Sequence, residues 1–172
     1  MIEKRAGAYR FAPLRSAGAL STPPLRRPSV PATLARLRAR LTSGEVSSRE
    51  LVEQCLERIA DPKGEGARTF VRVFTTRSLA DADASDHRRA KGSPTSSLDG
   101  LPVAVKDLFD IAGYTTLAGS VVRAGDPPAP CDALTVARLR AAGAVGLGTT
   151  NMNEFAPGTT GTNPPVSYTP PT

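Results

Sequence analysis

The sequence predicts an α/β fold, and three observations in its second half carry that prediction. Leu101 to Val105 is a short apolar run between Gly100 and Lys106-Asp107, which suits a buried strand. Residues 132–142 read as a helix, with Asp132 as its cap and Leu134, Val136, Ala137, Leu139 and Arg140 before Gly143. Ala144 to Leu147 is a second apolar run ending at Gly148. Two strands joined by a helical crossover imply a parallel pair of right-handed connection.

The first half adds helices. Leu34, Leu37 and Leu41 recur at helical spacing from Pro31 onward, and Gly44 closes the pattern. A second helix starts at Ser47 or Ser48, with Glu50 placed as in a capping box and Leu51, Val52, Cys55, Leu56 and Ile59 as its buried stripe. Asp61 to Gly66 is a loop, Thr69 to Thr75 a short strand, and residues 76–91 an exposed Ala/Asp/Arg helix. Gly92, Ser93, Pro94, Ser96 and Ser97 then make a turn-rich break.

Length and composition bound the rest. A chain of 172 residues with 40% apolar and 22% charged residues fits one globular domain. The net charge of +6 is local, because residues 1–40 carry nine Lys/Arg against Glu3 alone, whereas residues 41–172 are slightly acidic. Residues 1–30, with four prolines and six basic residues, read as a disordered basic arm or an early start codon. A transit peptide or a tether to RNA or anionic lipid is the less favoured reading, so nucleic acid is not an expected partner.

No apolar run approaches the roughly 20 residues of a membrane-spanning helix, and the start lacks the apolar core of a secretory signal. Two distant cysteines, Cys55 and Cys131, indicate neither a disulfide framework nor a zinc site. The expected setting is cytoplasmic, with organelle transit by residues 1–30 left open. The single histidine, His87, lies among charged residues and reads as solvated, which removes Ser/His/Asp triads and His-based metal sites. No metal or cofactor is expected. Cys131 reads as filler at a helix entry rather than as a nucleophile.

In an open α/β sheet, functional residues gather past the carboxyl ends of the strands. Lys106-Asp107 and Thr149 to Gly161 qualify. Lys106 emerges from an apolar strand, where desolvation favours a neutral amine able to act as a base. The competing reading is a salt bridge to Asp107 or Asp110. Gly143, Gly146 and Gly148 do not form a dinucleotide fingerprint and read as turn glycines around a buried strand.

Several blocks now line up in order. They are Leu98-Asp99-Gly100-Leu101-Pro102-Val103-Ala104-Val105-Lys106-Asp107, Thr115-Thr116 with Gly119-Ser120, Asp132-Ala133 through Ala142-Gly143-Ala144, and Gly148-Thr149-Thr150-Asn151-Met152-Asn153-Glu154-Phe155-Ala156, followed by Gly158, Gly161 and Asn163. Residues 98–163 resemble the N-terminal part of an amidase signature family enzyme, and the helices from 31 to 60 fit that family's entry region. The resemblance implies a mixed or parallel sheet flanked by helices, here incomplete. It also implies hydrolysis of carboxylic amides, or transfer of their ammonia, by a Ser/cis-Ser/Lys triad in which Lys106 is the catalytic lysine. Ala156 and Gly158 fall in the stretch that lines the acyl pocket in that family.

Both family serines belong to a Gly/Ser-rich segment that these residues do not contain. Ser120 matches a different family position, Ser167 lies in a divergent proline-rich tail over 164–172, and Thr149 and Pro157 depart from the usual pattern. The domain reading is therefore a basic arm over 1–30, the N-terminal part of an amidase domain over 31–163, and the tail. The expectation is a truncated fragment, inactive alone, that pairs through an open sheet edge with a complementing chain or with itself. The alternatives are a noncatalytic binding protein derived from the amidase fold and a piece of a tRNA-dependent amidotransferase subunit.

Overall fold

The structure, a computed structural model, describes residues 33–158. The basic arm, the tail, Gly161, Asn163 and Ser167 lie outside the described residues. Helices α1 (Leu34–Ser43) and α2 (Ser48–Ala60) lead to a short α3 (Gly66–Thr69), strand β1 (Phe70–Val73) and helix α4 (Thr75–Ala90). Strand β2 (Pro102–Lys106), a 3₁₀ turn (Val121–Gly125), α5 (Leu134–Ala141) and β3 (Val145–Thr150) follow.

The caps explain the first two helices. Thr33 accepts the Arg36 N–H at the start of α1, and Gly44 closes it in the left-handed conformation at φ 72°. Ser47 and Glu50 form the full capping box of α2. Asp86 of α4 then accepts the N–H groups of Ser48 and Arg49 at 2.7 and 2.9 Å, so one carboxylate from another helix completes the N-terminus of α2.

The three strands stand in the order β1-β3-β2. β2 and β3 run parallel, with Pro102 opposite Val145 and Lys106 opposite Thr150, as the crossover pattern predicts. β1 runs antiparallel to β3, with Phe70 opposite Thr150 and Val73 opposite Gly148, which makes the sheet mixed. Gly148 is pressed against the Arg72 carbonyl so closely that an added Cβ would collide with it. Glycine is required there by β1, not by a turn. Val145 and Leu147 pack with Val52, Ala82 and the stripe residues Cys55, Leu56 and Ile59, while Val105 packs with Phe74, Ile111 and Val136.

Four expectations need correction. β2 is an edge strand with Ala104 and Lys106 exposed, rather than a buried strand, because β3 is its single partner among the described residues. β3 runs on to Thr150, past Gly148. Asp132 does not cap α5: its carboxylate accepts the Ala112 N–H at 2.8 Å and pairs with Arg140, leaving Ala133 as a cap without a side-chain bond. The helix over 76–91 is not exposed all round, since Ser78, Ala82 and Ser85 are buried. These small side chains allow close approach, and Ser78 Oγ donates to the Gly146 carbonyl of β3 at 2.7 Å.

A buried charge joins α4 to the turn before β2. Asp99 is fully buried and receives Arg88 Nε at 3.0 Å, Arg88 Nη2 at 2.6 Å and the Thr95 N–H at 2.8 Å, and Arg89 donates to its carbonyl. Burial opposes charge on Asp99, but these donors outweigh it and hold the carboxyl below its ordinary range. Its contribution to stability is present above the unfolded carboxyl value of about 3.9 and is lost as pH falls through the lower folded value. Arg88→Ala is expected to cost about 3 kcal/mol at pH 7, the low end for uncovering a buried charge because Arg88 is 35% exposed. Urea unfolding checks this: the variant should also lose the acid-side slope, and a cost below about 1 kcal/mol contradicts the assigned pairing.

Candidate active site

Lys106 is the last residue of β2 and lies opposite Thr150, the last of β3. The Asp107 N–H donates to the Thr150 carbonyl at 3.1 Å and prolongs the parallel ladder by one bond. Two loops leave the strands here. The Leu108 and Phe109 N–H groups turn back onto the Lys106 carbonyl at 2.7 and 3.1 Å, which ends β2 abruptly and leaves the Lys106 side chain exposed.

Alternation sends Asp107 inward, where it is only 1% exposed. Its main-chain carbonyl accepts the Ala118 N–H at 2.9 Å, and its carboxylate faces the Gly119 N–H at 3.5 Å. Burial pushes its carboxyl above the ordinary range, partly offset by the Gly119 and Leu117 N–H groups and the charge of Arg72. Asp107 therefore holds the 117–119 turn, in which Ala118 and Gly119 both adopt positive φ, at 52° and 71°.

That turn grips the loop after β3. Ser120 Oγ donates to Glu154 at 2.6 Å, and the Phe155 N–H donates to the Ala118 carbonyl at 2.8 Å. Phe155 and Ala156 are themselves left-handed, at 50° and 65°. Holding three non-glycine residues there costs of order 1 kcal/mol each, and the network between the loops supplies the constraint. Met152, 2% exposed, anchors the second loop from below.

The structure brings Lys106, Ala156 and Gly158 to one end of the sheet, past the carboxyl ends of β2 and β3. Ala156 and Gly158 are exposed, and Gly158 rests against the Asn153 side chain so closely that a Cβ has no room. Lys106 forms no ion pair among the described residues, so the salt bridge to Asp107 or Asp110 is absent. The burial expected of an amine emerging from an apolar strand is absent too, because the edge of β2 is open. Asp110 instead accepts the Thr116 hydroxyl at 2.6 Å.

No described serine is placed to act as a nucleophile. Ser120 is buried, donates its proton to Glu154 and accepts the Val122 N–H at 3.3 Å, so its hydroxyl is held in a structural bond between the loops. His87 is exposed, and the half-buried Cys55 thiol is pushed up by its surroundings, the direction of an inert cysteine. Cys131 is exposed and stands outside α5. No described group of three His, Cys, Asp or Glu could hold a metal, and no described helix is long and apolar enough to cross a membrane. Sequence reasoning misses the Asp107 anchor and the Ser120-Glu154 bond. Their one local signal is an acid directly after a strand, which also suits a surface ion pair.

An exposed lysine at the end of a parallel strand, beside two mutually bonded loops, places the features of interest at one end of the mixed sheet of an α/β protein. The chain belongs to the Amidase family, whose pattern matches residues 50–171. It is 48% identical over 127 residues to AtzE, the 1-carboxybiuret hydrolase subunit of Pseudomonas sp. (strain ADP), covering 72% of this chain and 27% of that protein. It is 45% identical over 131 residues to a subunit of the glutamyl-tRNA(Gln) amidotransferase of Chromohalobacter salexigens, covering 76% and 26%. Among solved structures it matches the native peptide amidase from Stenotrophomonas maltophilia at 38% identity and a TM-score of 0.67, covering 76% and 26%. The chain thus spans about a quarter of the length of the curated relatives it matches.

Asp107→Asn tests the anchor. A carboxyl raised in the folded state binds its proton more tightly there, so stability falls as pH rises from about 4 through the raised value and then levels. The stability of the Asn variant relative to the parent is expected to climb over that window. A flat difference across pH 4–8 in urea unfolding contradicts the assigned burial.

Proposed function

We propose that these residues provide the lysine-bearing part of an amide hydrolase of the Ser/cis-Ser/Lys kind, with Lys106 as the proton acceptor. The carrying observation is the position of Lys106, free of ion pairs among the described residues at the end of β2 and opposite Thr150, within the family's block. In this reading the Lys106 amine takes a proton relayed by a bridging serine from the nucleophilic serine. The serine oxygen attacks the amide carbon, and the tetrahedral adduct expels the amine or ammonia with that proton, to solvent or to an ammonia acceptor; water then hydrolyses the acyl-enzyme and frees the carboxylic acid. Ala156 and Gly158 border the acyl group.

Neither serine lies within residues 1–172 as the family's Gly/Ser-rich segment. The site therefore needs a serine-bearing polypeptide, whether continuous with this chain or separate. The surface for it is open: the outer edge of β2 is unpaired among the described residues, and Leu108, Phe109, Val121, Val122 and Phe155 expose 40–80% of their area. The substrate class is a small carboxylic amide. The likeness both to part of a carboxybiuret hydrolase and to part of an amidotransferase supports the amide and leaves the acceptor to the remaining residues. A cytoplasmic setting suits two free cysteines.

Residues 1–172 alone are expected to hydrolyse simple carboxylic amides no faster than buffer. Purified together with the serine-bearing remainder of the carboxybiuret hydrolase relative, they are expected to gain ammonia release that Lys106→Ala lowers by about 10³-fold or more. Turnover by the chain alone that Lys106→Ala abolishes overturns the proposal, as does restored activity indifferent to that substitution.

A further inference from the structure

An open cavity of about 330 Å³ lies between β1, the start of α4 and the ring of Tyr114; Lys106 and the loop after β3 do not line it, and of the loop after β2 only Tyr114 does. Arg72, Thr75, Thr76, Arg77 and Tyr114 do, and no carboxylate joins them. Arg72 is half-buried, and its guanidinium lies 4.9 Å over the Tyr114 ring, which fixes its plane. It makes no ion pair or side-chain hydrogen bond among the described residues, which leaves its five donors free, although the buried Asp107 carboxylate feels its charge. Arg77 has one described ion pair, a loose one to Asp81 at 3.8 Å.

The rest of the lining is also donor-rich. The hydroxyls of Thr75, Thr76 and Tyr114 form no hydrogen bond among the described residues. α4 is 16 residues long, begins without a side-chain cap at Phe74 and has no acid in its first turn. Thr75, Thr76 and Arg77, whose N–H groups open that helix, all line the cavity. A carboxylate has two oxygens and one charge, too few for this set. A phosphate monoester brings three free oxygens and nearly two charges. The volume exceeds that of a bare phosphate, and Phe74 and Tyr114, with ring centroids 4.8 Å apart, supply an aromatic wall for an organic body.

We propose that this groove binds a small phosphomonoester, its phosphate between Arg72 and Arg77 at the start of α4 and its organic part against Tyr114. The proposal is independent of the amide reading, since it uses neither Lys106 nor the loop after β3, and takes from the loop after β2 only Tyr114. Phenyl phosphate is the probe. Titrated into residues 1–172 at constant ionic strength, it is expected to bind saturably, shift the Thr75 and Thr76 amide signals, and bind at least tenfold more weakly to Arg77→Ala and to Arg72→Lys. Arg77 is exposed and Arg72→Lys keeps the charge, so both variants are expected to melt with the parent. Benzoate should bind at least tenfold more weakly than phenyl phosphate, and inorganic phosphate at least threefold. Absence of saturation overturns the proposal. Binding unchanged in both variants overturns it by assigning the phosphate to the basic residues of the arm, and equal binding of benzoate or of inorganic phosphate removes the phosphomonoester assignment.

Discussion

Strand β3 holds the remaining elements in place. Among the described strands it alone is paired on both edges, so its six residues fix β1 on one side and β2 on the other. Thr150 meets Phe70 across one edge and Lys106 across the other. Gly148 lets β1 approach without a side chain in the way, and Gly146 presents the carbonyl that Ser78 of α4 binds.

Two buried carboxylates flank that framework and are treated in opposite ways. Asp99 has a paired guanidinium and a backbone donor, so its charge is favoured and it ties α4 to the entry of β2. Asp107 has only backbone N–H groups and more distant arginines, so burial dominates and its charge is disfavoured. The first fixes where β2 begins. The second fixes where the chain goes after β2 ends, and through Ser120 and Glu154 it sets the loop after β3.

Local signals reveal the parts of the fold that are decided locally. The Gly44 end of α1, the capping box of α2, the parallel β2/β3 pair and the position of Lys106 at a strand end are all legible, because spacing and capping chemistry act within a few residues. β1 is legible as a strand, although read over Thr69 to Thr75 where the structure has Phe70–Val73 between two helices, and its antiparallel place against β3 is set by a partner some 75 residues on. That same order makes β2 an edge, so an apolar run that looks buried is half open and Lys106 is exposed. The buried face of α4 is hidden because it is built from Ser78, Ala82 and Ser85, which carry no apolar stripe. Asp132 misleads for a related reason: a cap-type residue can spend its carboxylate on a distant N–H and an arginine. The amidase family is recognisable from ordered blocks of residues, whereas the bonding between its two loops depends on backbone turns at Ala118, Phe155 and Ala156 that non-glycine residues do not announce.

On this reading the outer edge of β2, ending at Lys106, is an uncovered surface made for the serine-bearing part of an amidase fold. The decisive observation is amide hydrogen exchange along Pro102–Lys106, with residues 1–172 measured alone and then with the serine-bearing remainder of a related amidase. The amides of β2 that face away from β3 are expected to exchange quickly in the chain alone and to become strongly protected in the complex. Protection already present in the chain alone, or rapid exchange that persists in the complex, would contradict an uncovered edge built for that partner.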